Sequence, residues 1–423
     1  MERQLLTNGK AFQRTDGKWQ GTVWYKDEYG ERRRKSFAAN TQRAVNKKMK
    51  DYIEAFKRHK ETNRQGANFP LMESLEDYIQ IFKFPNVERA TYDRCEQTAE
   101  HQIYPRLGVK TVGDITSADI QKLLNDLMTD GYSYSTVKKT YNLLAEFFRY
   151  QRTENIVANN PMEGVTMMKK ANFLSSQGKE IKPTCEEVQI FTPEEIETIR
   201  KEAFSTFSDG TRKYQQPAAY FLMLNTGLRT GEALGLKNSD VDFENRMLYV
   251  QHAVKEVSKR NGAEKQKGKE LITGKPKSAT SKRAIPLNSS AIEMIKDLRK
   301  EMYFGEDSPL IPDENGQFTK PSNFRKRFYR ILEACGVKEK SKTKGTGNNS
   351  TKGKTQGKGL HSLRHTFATT LINGIKQPDG TIKNLPIKQV ADILGHTTTE
   401  ITELYYVRRE SDKLNGVTDG FEL

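Results

Sequence analysis

The stretch Leu360-His361-Ser362-Leu363-Arg364-His365-Thr366-Phe367 decides how this chain is read. Leu363, Phe367 and Leu371 recur every four residues, so the spacing predicts a helix with those three toward a core. His361 and Arg364 stand three apart and therefore share another face of the same helix. Two flanking stretches repeat one local design. Leu224-Asn225-Thr226-Gly227-Leu228-Arg229 reads as an apolar helix ended by a glycine, with an arginine just beyond. Ile393-Leu394-Gly395-His396 ends a second helix with glycine and presents a histidine. Thr397 and Glu400 then have capping-box spacing before a helix carrying Leu404, Tyr405 and Tyr406. Three of the six histidines, His361, His365 and His396, fall in this C-terminal stretch; His59, His101 and His252 are scattered.

These residue types suit a phosphodiester. Arginine forks are permanently charged and match nonbridging phosphate oxygens, stabilising charge that grows in a transition state. Histidines donate to the same oxygens or move a proton near neutral pH. A tyrosine hydroxyl then serves as nucleophile, and no step needs a metal. The chain has no G-x-S-x-G, Walker loop, H-E-x-x-H or paired C-x-x-C, and its carboxylates form no evident metal set. Cys95, Cys185 and Cys335 are too far apart for a disulfide framework or a paired-cysteine zinc site. Neither cofactor nor metal is expected.

Working outward, the 423 residues have room for about three domains at roughly 150 residues each. No apolar run approaches the length of a membrane span or a secretory leader, so a cytoplasmic, nucleoid-associated protein is expected. Lys plus Arg outnumber Asp plus Glu by 70 to 54, a net charge of +16, and the surplus is clustered. Residues 1–66 hold 17 Lys/Arg against 8 Asp/Glu, and further basic stretches occupy 255–283 and 338–358. Such a surplus points to nucleic acid. The 338–358 stretch, nearly devoid of apolar residues, reads as a flexible basic loop.

The N-terminal part reads as a small antiparallel sheet and a helix. Trp19 to Tyr25 has strand composition, a turn follows at 26–30, and Glu31 to Phe37 returns as a second strand. Asn40-Thr41 caps a helix with Val45, Met49, Tyr52, Ile53 and Phe56 on one side. Trp24 and the run Arg32-Arg33-Arg34-Lys35 make a basic ribbon suited to a DNA groove. A polar linker at 61–70 leads to helical segments around 75–82, 90–104, 117–128 and 135–152. The last carries Val137, Tyr141, Leu144, Phe147 and Phe148 on one side and exposes Lys138 and Lys139 for DNA. Asn159-Asn160-Pro161 and a loop at 175–184 close this domain. The remainder, 186–423, reads as mostly helical with a strand hairpin between 247 and 287.

On these motifs the chain resembles the tyrosine recombinase (phage integrase) family, particularly integrases of temperate phages and integrative conjugative elements. The resemblance implies a multidomain, mainly α fold with small β-sheets. Residues 1–66 would be an arm-type DNA-binding domain, a three-stranded sheet with one helix. Residues 70–170 would be a SAM-like helical core-binding domain, and 186–423 an α+β catalytic domain with a C-terminal tail. Carried over by motif, Arg229 and Arg364 would bind phosphate, His361 would help deprotonate the nucleophile, and His396 would hydrogen-bond the scissile phosphate. Lys277, in a hairpin-like stretch, would be the general acid, with Lys275 the alternative. Tyr405, nine residues after His396, would attack, with Tyr406 the alternative. The resemblance further implies site-specific integration and excision through a 3′-phosphotyrosyl link, a homotetramer on double-stranded core and arm sites, and accessory excisionase or DNA-bending proteins. The other readings are a type IB topoisomerase and a non-catalytic DNA-binding regulator.

Overall fold

The computed structural model describes residues 4–7, 9–26, 31–61, 67–176, 178, 188–274, 282–337, 357–376 and 381–406. Several sequence expectations lie outside them: the turn at 27–30, the linker at 62–66, most of the loop at 175–184, Lys275 and Lys277, the basic loop at 338–356 and the tail from 407. The chain divides into two compact units, Met1–Ile181 with Arg260–Gln266, and Lys182–Lys259 with Lys267–Leu423.

The first unit opens with strands β1 (Gln4–Thr7), β2 (Ala11–Gln13), β3 (Trp19–Lys26) and β4 (Arg32–Ala39), then helix α1 (Gln42–Glu61). β4 pairs antiparallel with β3 along its whole length, from Trp19↔Ala39 to Lys26↔Arg32. β1 and β2 pair with opposite ends of β3, Gln4↔Lys26 and Ala11↔Gly21. A strand has only two edges, so β1 and β2 share the second one end to end. The sheet is three strands wide, its outer edge broken at Gly9, where φ is +68°. Val23, Val45, Met49 and Tyr52 close the small core between sheet and α1, and the Thr41 hydroxyl accepts from the Ala44 amide at the helix start.

The helical part of this unit follows the amphipathic reading. Its helices are α2 (Leu71–Tyr78), α3 (Arg89–Thr98), α4 (Tyr104–Leu107), α5 (Ser117–Thr129), α6 (Tyr134–Thr153) and α7 (Lys170–Ser176). The expected 90–104 helix runs from α3 to α4 through a π-turn at Ala99–Ile103. Leu75, Tyr92, Leu124, Val137, Leu144, Phe147 and Phe148 are among the side chains that fill its core. One compact unit thus holds the first two expected domains. Met72 packs on the small core of the sheet, and Lys35 Nζ meets Glu76 at 2.9 Å.

The second unit is built on a buried central helix. Its elements are α8 (Pro193–Ala203), α9 (Ala218–Thr226), α10 (Thr230–Gly235), β5 (Val241–Asp242), β6 (Met247–Val250), β7 (Ala253–Asn261), β8 (Glu264–Gly274), β9 (Arg283–Pro286), α11 (Ser289–Glu301), α12 (Pro321–Ala334), α13 (Leu360–Asn373), β10 (Ile375–Lys376), β11 (Ile382–Lys383), α14 (Ile387–Leu394) and α15 (Thr399–Tyr406). β5, β6 and β9 form one small sheet, and β7 pairs with β8 within the 247–287 stretch expected to hold a strand hairpin, residues Arg260–Gln266 of which are counted with the first unit. α9 is apolar all round, from Ala218 to Met223, as a helix enclosed on every side must be. Around it pack Phe324, Phe328, Ile331, Leu332, Ile295 and Leu363. A separate small core, Ala368, Val390, Leu394 and Tyr406, joins α13, α14 and α15.

Candidate active site

The site grows from two helix ends. α9 stops at Gly227 and α14 at Gly395, both left-handed, with φ of +64° and +67°. Only glycine adopts this conformation freely. At Gly227 the space matters as well: a Cβ there would meet Phe367 at 2.5 Å and Leu394 at 2.9 Å. Each helix leaves carbonyls without an intrahelical partner, and two of those oxygens converge on one side chain. Arg364, on α13, donates from Nη1 to the Gly227 carbonyl and from Nη2 to the Leu394 carbonyl, both at 2.8 Å. The residue is 1% exposed. A cation at two negative helix ends offsets part of its own desolvation. Burial, and after it the charge of Arg229, pull Arg364 down to about 9, so it stays protonated at neutral pH.

Arg364 Nη2 also lies 3.0 Å from His396 Nε2. A guanidinium only donates, so Nε2 accepts, and the ring proton belongs on Nδ1. That proton donates to the Thr402 hydroxyl at 2.8 Å, with Thr402 fully buried on α15. Burial, Arg364, Arg229 and Arg283 together depress His396 to about 4. His365 is likewise pushed down to about 4 by burial, His361, Arg364 and His396. His361 reaches solvent; its ring meets His365 edge-on at 4.5 Å. Lost solvation, and then the charges of Arg364 and Arg229, lower it too.

Arg229 stands at the start of α10, half-exposed. Its amide donates to one oxygen of Glu232 at 2.9 Å and its Nη1 to the other at 2.7 Å. Glu232 is buried and also takes Arg283, at 3.2 and 3.0 Å. Burial alone would raise the Glu232 carboxyl; the Arg283 hydrogen bond and the two arginine charges outweigh it and leave the carboxyl below its ordinary value. Arg283 in turn donates to the Ile393 carbonyl at 2.6 Å, tying β9 to the end of α14.

The phenol that packs into this cluster is that of Tyr406, the neighbour of the expected Tyr405. Tyr406 is 4% exposed, and its hydroxyl is 2.8 Å from His365 Nδ1. Burial raises its pKa, opposed by Arg364 and Arg229. Tyr405 is 37% exposed, with its ring stacked 6.3 Å from that of His365. The reason is helical phase. Thr402 and Tyr406 share the inward face of α15, while Ile401 and Tyr405, also four apart, share the outward one. The apolar stripe of Ile401, Leu404 and Tyr405 is the solvent side here, and α15 begins at Thr399, later than the expected cap implied.

Arg229, His361, Arg364 and His396 thus stand in one cluster. Lys277 and Lys275 lie outside the described residues. His365, Thr402, Glu232 and Arg283 complete the cluster. His365 is legible beside Arg364 in the motif; Arg283 is 51 residues from Glu232 and carries no local signal.

In the first unit the basic ribbon divides by strand alternation. Arg32 and Arg34 flank Trp24 on the face away from α1, their guanidinium carbons 4.7 and 5.9 Å from its ring centre. Arg33, opposite Tyr25, and Lys35, opposite Val23, lie on the α1 side. Lys35 is paired with Glu76. Lys138 and Lys139 are exposed on α6 between buried Val137 and Thr140. Among the described residues no helix is long and apolar enough to cross a membrane.

Comparison with known proteins identifies the family. The model of the phage integrase family matches residues 189–412, and that of the phage integrase N-terminal SAM-like domain matches residues 71–128. The first match alone covers more than half of the chain, and the chain belongs to the phage integrase family. It is a tyrosine recombinase, an enzyme of site-specific DNA recombination. A protein of Caldanaerobacter subterraneus subsp. tengcongensis named tyrosine recombinase XerC-like is 29% identical over 95% of this chain and 93% of its own. The transposase from transposon Tn916 of Enterococcus faecalis is 23% identical over 79% of this chain and 74% of its own. Among solved structures, the Tn1549 transposon integrase in complex with a circular intermediate DNA has the same fold, with a TM-score of 0.59 at 20% identity, over 82% of this chain and 98% of that one. A lambda integrase dimer bound to a core site gives 0.54 at 18%, over 97% and 98%.

Proposed function

We propose that the chain is the integrase of a mobile element, cutting and rejoining DNA through Tyr406. The observation that carries this reading is the convergence of Arg364, His396, His365 and the Tyr406 phenol at the ends of α9 and α14. Arg229 and Arg364 would hold the nonbridging oxygens of the scissile phosphate, where preset cations offset the charge that develops. A phosphate oxygen competes with His396 Nε2 for Arg364. Its negative charge also favours a protonated His396, which then donates to it.

The Tyr406 oxygen bonds to phosphorus as the bond to the 5′ oxygen breaks, leaving a 3′-phosphotyrosyl link. The departing oxygen takes a proton from a general acid, the role given to Lys277. The freed 5′ hydroxyl of a partner duplex then attacks the link and releases the tyrosine. The phosphodiester energy is conserved in the link, so exchange needs no external energy source.

The outer face of the N-terminal sheet, with Trp24, Arg32 and Arg34, would bind arm-type DNA, while the α2–α6 bundle, through Lys138 and Lys139, and the catalytic unit hold the core site. The Tn1549 and lambda structures hold DNA, one of them as a lambda integrase tetramer on a Holliday junction; four protomers on two duplexes are the corresponding reading here. Excisionase or DNA-bending proteins would set direction.

The test uses a duplex selected from a randomised pool by binding to the full chain, then nicked so that the cut fragment diffuses away. The parent protein traps itself as a covalent adduct, Tyr405→Phe still does, and Tyr406→Phe does not. Adduct from Tyr406→Phe overturns the assignment, and no adduct from the parent on a duplex that it binds favours a binding-only protein.

A further inference from the structure

We infer that His365, rather than His361, is the base that takes the proton from the nucleophile. The inference rests on the reading of Tyr406 given above and adds the acceptor. Three observations carry it. The Tyr406 hydroxyl is 2.8 Å from His365 Nδ1, the distance of a formed O–H···N hydrogen bond. Both partners are held in place: Tyr406 is packed among Ala368, Val390 and Leu394, and His365 sits between the edge-on His361 ring at 4.5 Å and the Tyr406 ring at 5.5 Å. Finally, His396 cannot take the role, because its Nε2 lone pair is directed at Arg364 and its Nδ1 proton at Thr402.

The groups facing His365 are His361 and Arg364 on its own helix, His396 at the end of α14, and Tyr405 and Tyr406 on α15. The cations and rings among them, together with burial, keep the His365 imidazole neutral at physiological pH, and a neutral ring can accept. The phenol is the better acid of the pair, so the hydroxyl donates and an oxygen lone pair is left for phosphorus. In the forward step the O–P bond to Tyr406 forms, the bond from phosphorus to the 5′ oxygen breaks, and the phenolic proton moves to His365 Nδ1. The 5′ oxygen takes a separate proton from the general acid. On rejoining, the attacking 5′ hydroxyl gives its proton back to the general acid, which the forward step left deprotonated, as the phosphotyrosyl bond breaks, and His365 returns its proton to the tyrosine oxygen. His361, exposed and beside His365, stands where charge on the imidazolium can pass toward solvent.

The experiment follows adduct formation by the full chain on the nicked duplex described above, across pH, with an ordinary scissile phosphate and with sulfur replacing the bridging 5′ oxygen. Sulfur leaves without a proton, so it bypasses the general acid but not the base. The expected result is that His365→Ala is slower on the order of 10²-fold on both substrates. His365→Asn, whose short amide can still accept from the phenol, recovers part of the rate but loses the acidic limb of the pH profile. His361→Ala keeps that limb. The inference is overturned if His365→Ala stays within about threefold of the parent. A sulfur substrate that restores His365→Ala to the parent rate also overturns it, by moving the residue to the leaving-group side. Adduct from Tyr406→Phe sinks both this inference and the reading beneath it. Should the His365 variants unfold, the 15N resonance of His365 Nδ1 in the DNA-free protein decides. It must move in Tyr406→Phe, and an unmoved resonance refutes the hydrogen bond.

Discussion

Replacing Gly227 by alanine tests the seat of Arg364 directly. The backbone there has φ of +64°, which costs a residue with a Cβ about 1–2 kcal/mol. The new methyl would also lie 2.5 Å from Phe367 Cδ1 and 2.9 Å from Leu394 Cδ2. Phe367 is a partly buried ring and Leu394 is fully buried, so neither can swing into solvent. Overpacking of that kind costs about 1–3 kcal/mol more. The sum, roughly 2–5 kcal/mol, lowers the melting temperature of a unit of this size by about 4–20 °C. Gly336 is the control. It ends α12 with φ of +71° and has nothing within 4 Å of its would-be Cβ, so Gly336→Ala pays the strain alone. Calorimetry on the two variants and the parent separates the contributions. Gly227→Ala must be the less stable by at least 1 kcal/mol, and it must also lose adduct formation, because the displaced carbonyl is the one that receives Arg364 Nη1. Equal stability of the two alanine variants would refute the packing account.

Other perturbations follow from the same geometry. Glu232→Ala removes the carboxylate that balances buried Arg283, whose side chain is 6% exposed, and should cost about 3–5 kcal/mol in urea unfolding; replacing both by methionine should recover part of that, and a double variant no better than the single one would refute the pairing. Stability should also fall on acidification. His365 and His396 sit at about 4 in the fold against an ordinary 6.5, so the unfolded chain binds their protons first. Their contribution is complete above about pH 6.5 and declines toward pH 4, by at most about 1.4 kcal/mol per unit for each. The lowered Glu232 carboxyl adds a loss at still lower pH. Urea midpoints that stay level from pH 7.5 to 5 would contradict this. On arm-type DNA, Arg32→Ala and Arg34→Ala should each flatten the salt dependence of binding by about 0.9 in log–log slope, whereas Lys35→Ala, already paired with Glu76, should leave it unchanged.

Much of this architecture was legible because burial leaves a period. The α2–α6 segments showed their apolar faces, and the glycines at 227 and 395 marked the helix ends that organise the site. What escaped has identifiable causes. The outer edge of the N-terminal sheet is two short strands sharing one edge, a pairing set by distant residues of β3. The π-turn at Ala99–Ile103 leaves composition unaltered. The phase of α15 was not legible for a sharper reason: its apolar stripe, Ile401, Leu404 and Tyr405, faces solvent, while a threonine and a tyrosine turn inward to the polar cluster. Hydrophobic periodicity identifies the inward face only when that face meets an apolar core. The preference for Tyr405 comes from the family's spacing after His396, a signal blind to helical phase, whereas the hydroxyl within reach of His365 is that of Tyr406. The link between Glu232 and Arg283 was equally hidden, since nothing in either segment announces a partner on another element.

Two of the partners of Arg364 are main-chain oxygens at helix ends, and this bears on how such a sequence can drift. Exchanging one apolar residue for another within α9 or α14 leaves the supporting carbonyls where they are. Inserting or deleting a single residue in either helix turns its terminal oxygen by about 100° around the axis and withdraws it from the guanidinium. The expectation for diverging homologues is apolar-for-apolar exchange between Ala218 and Gly227, and between Ile387 and Gly395, with the number of residues in each run unchanged.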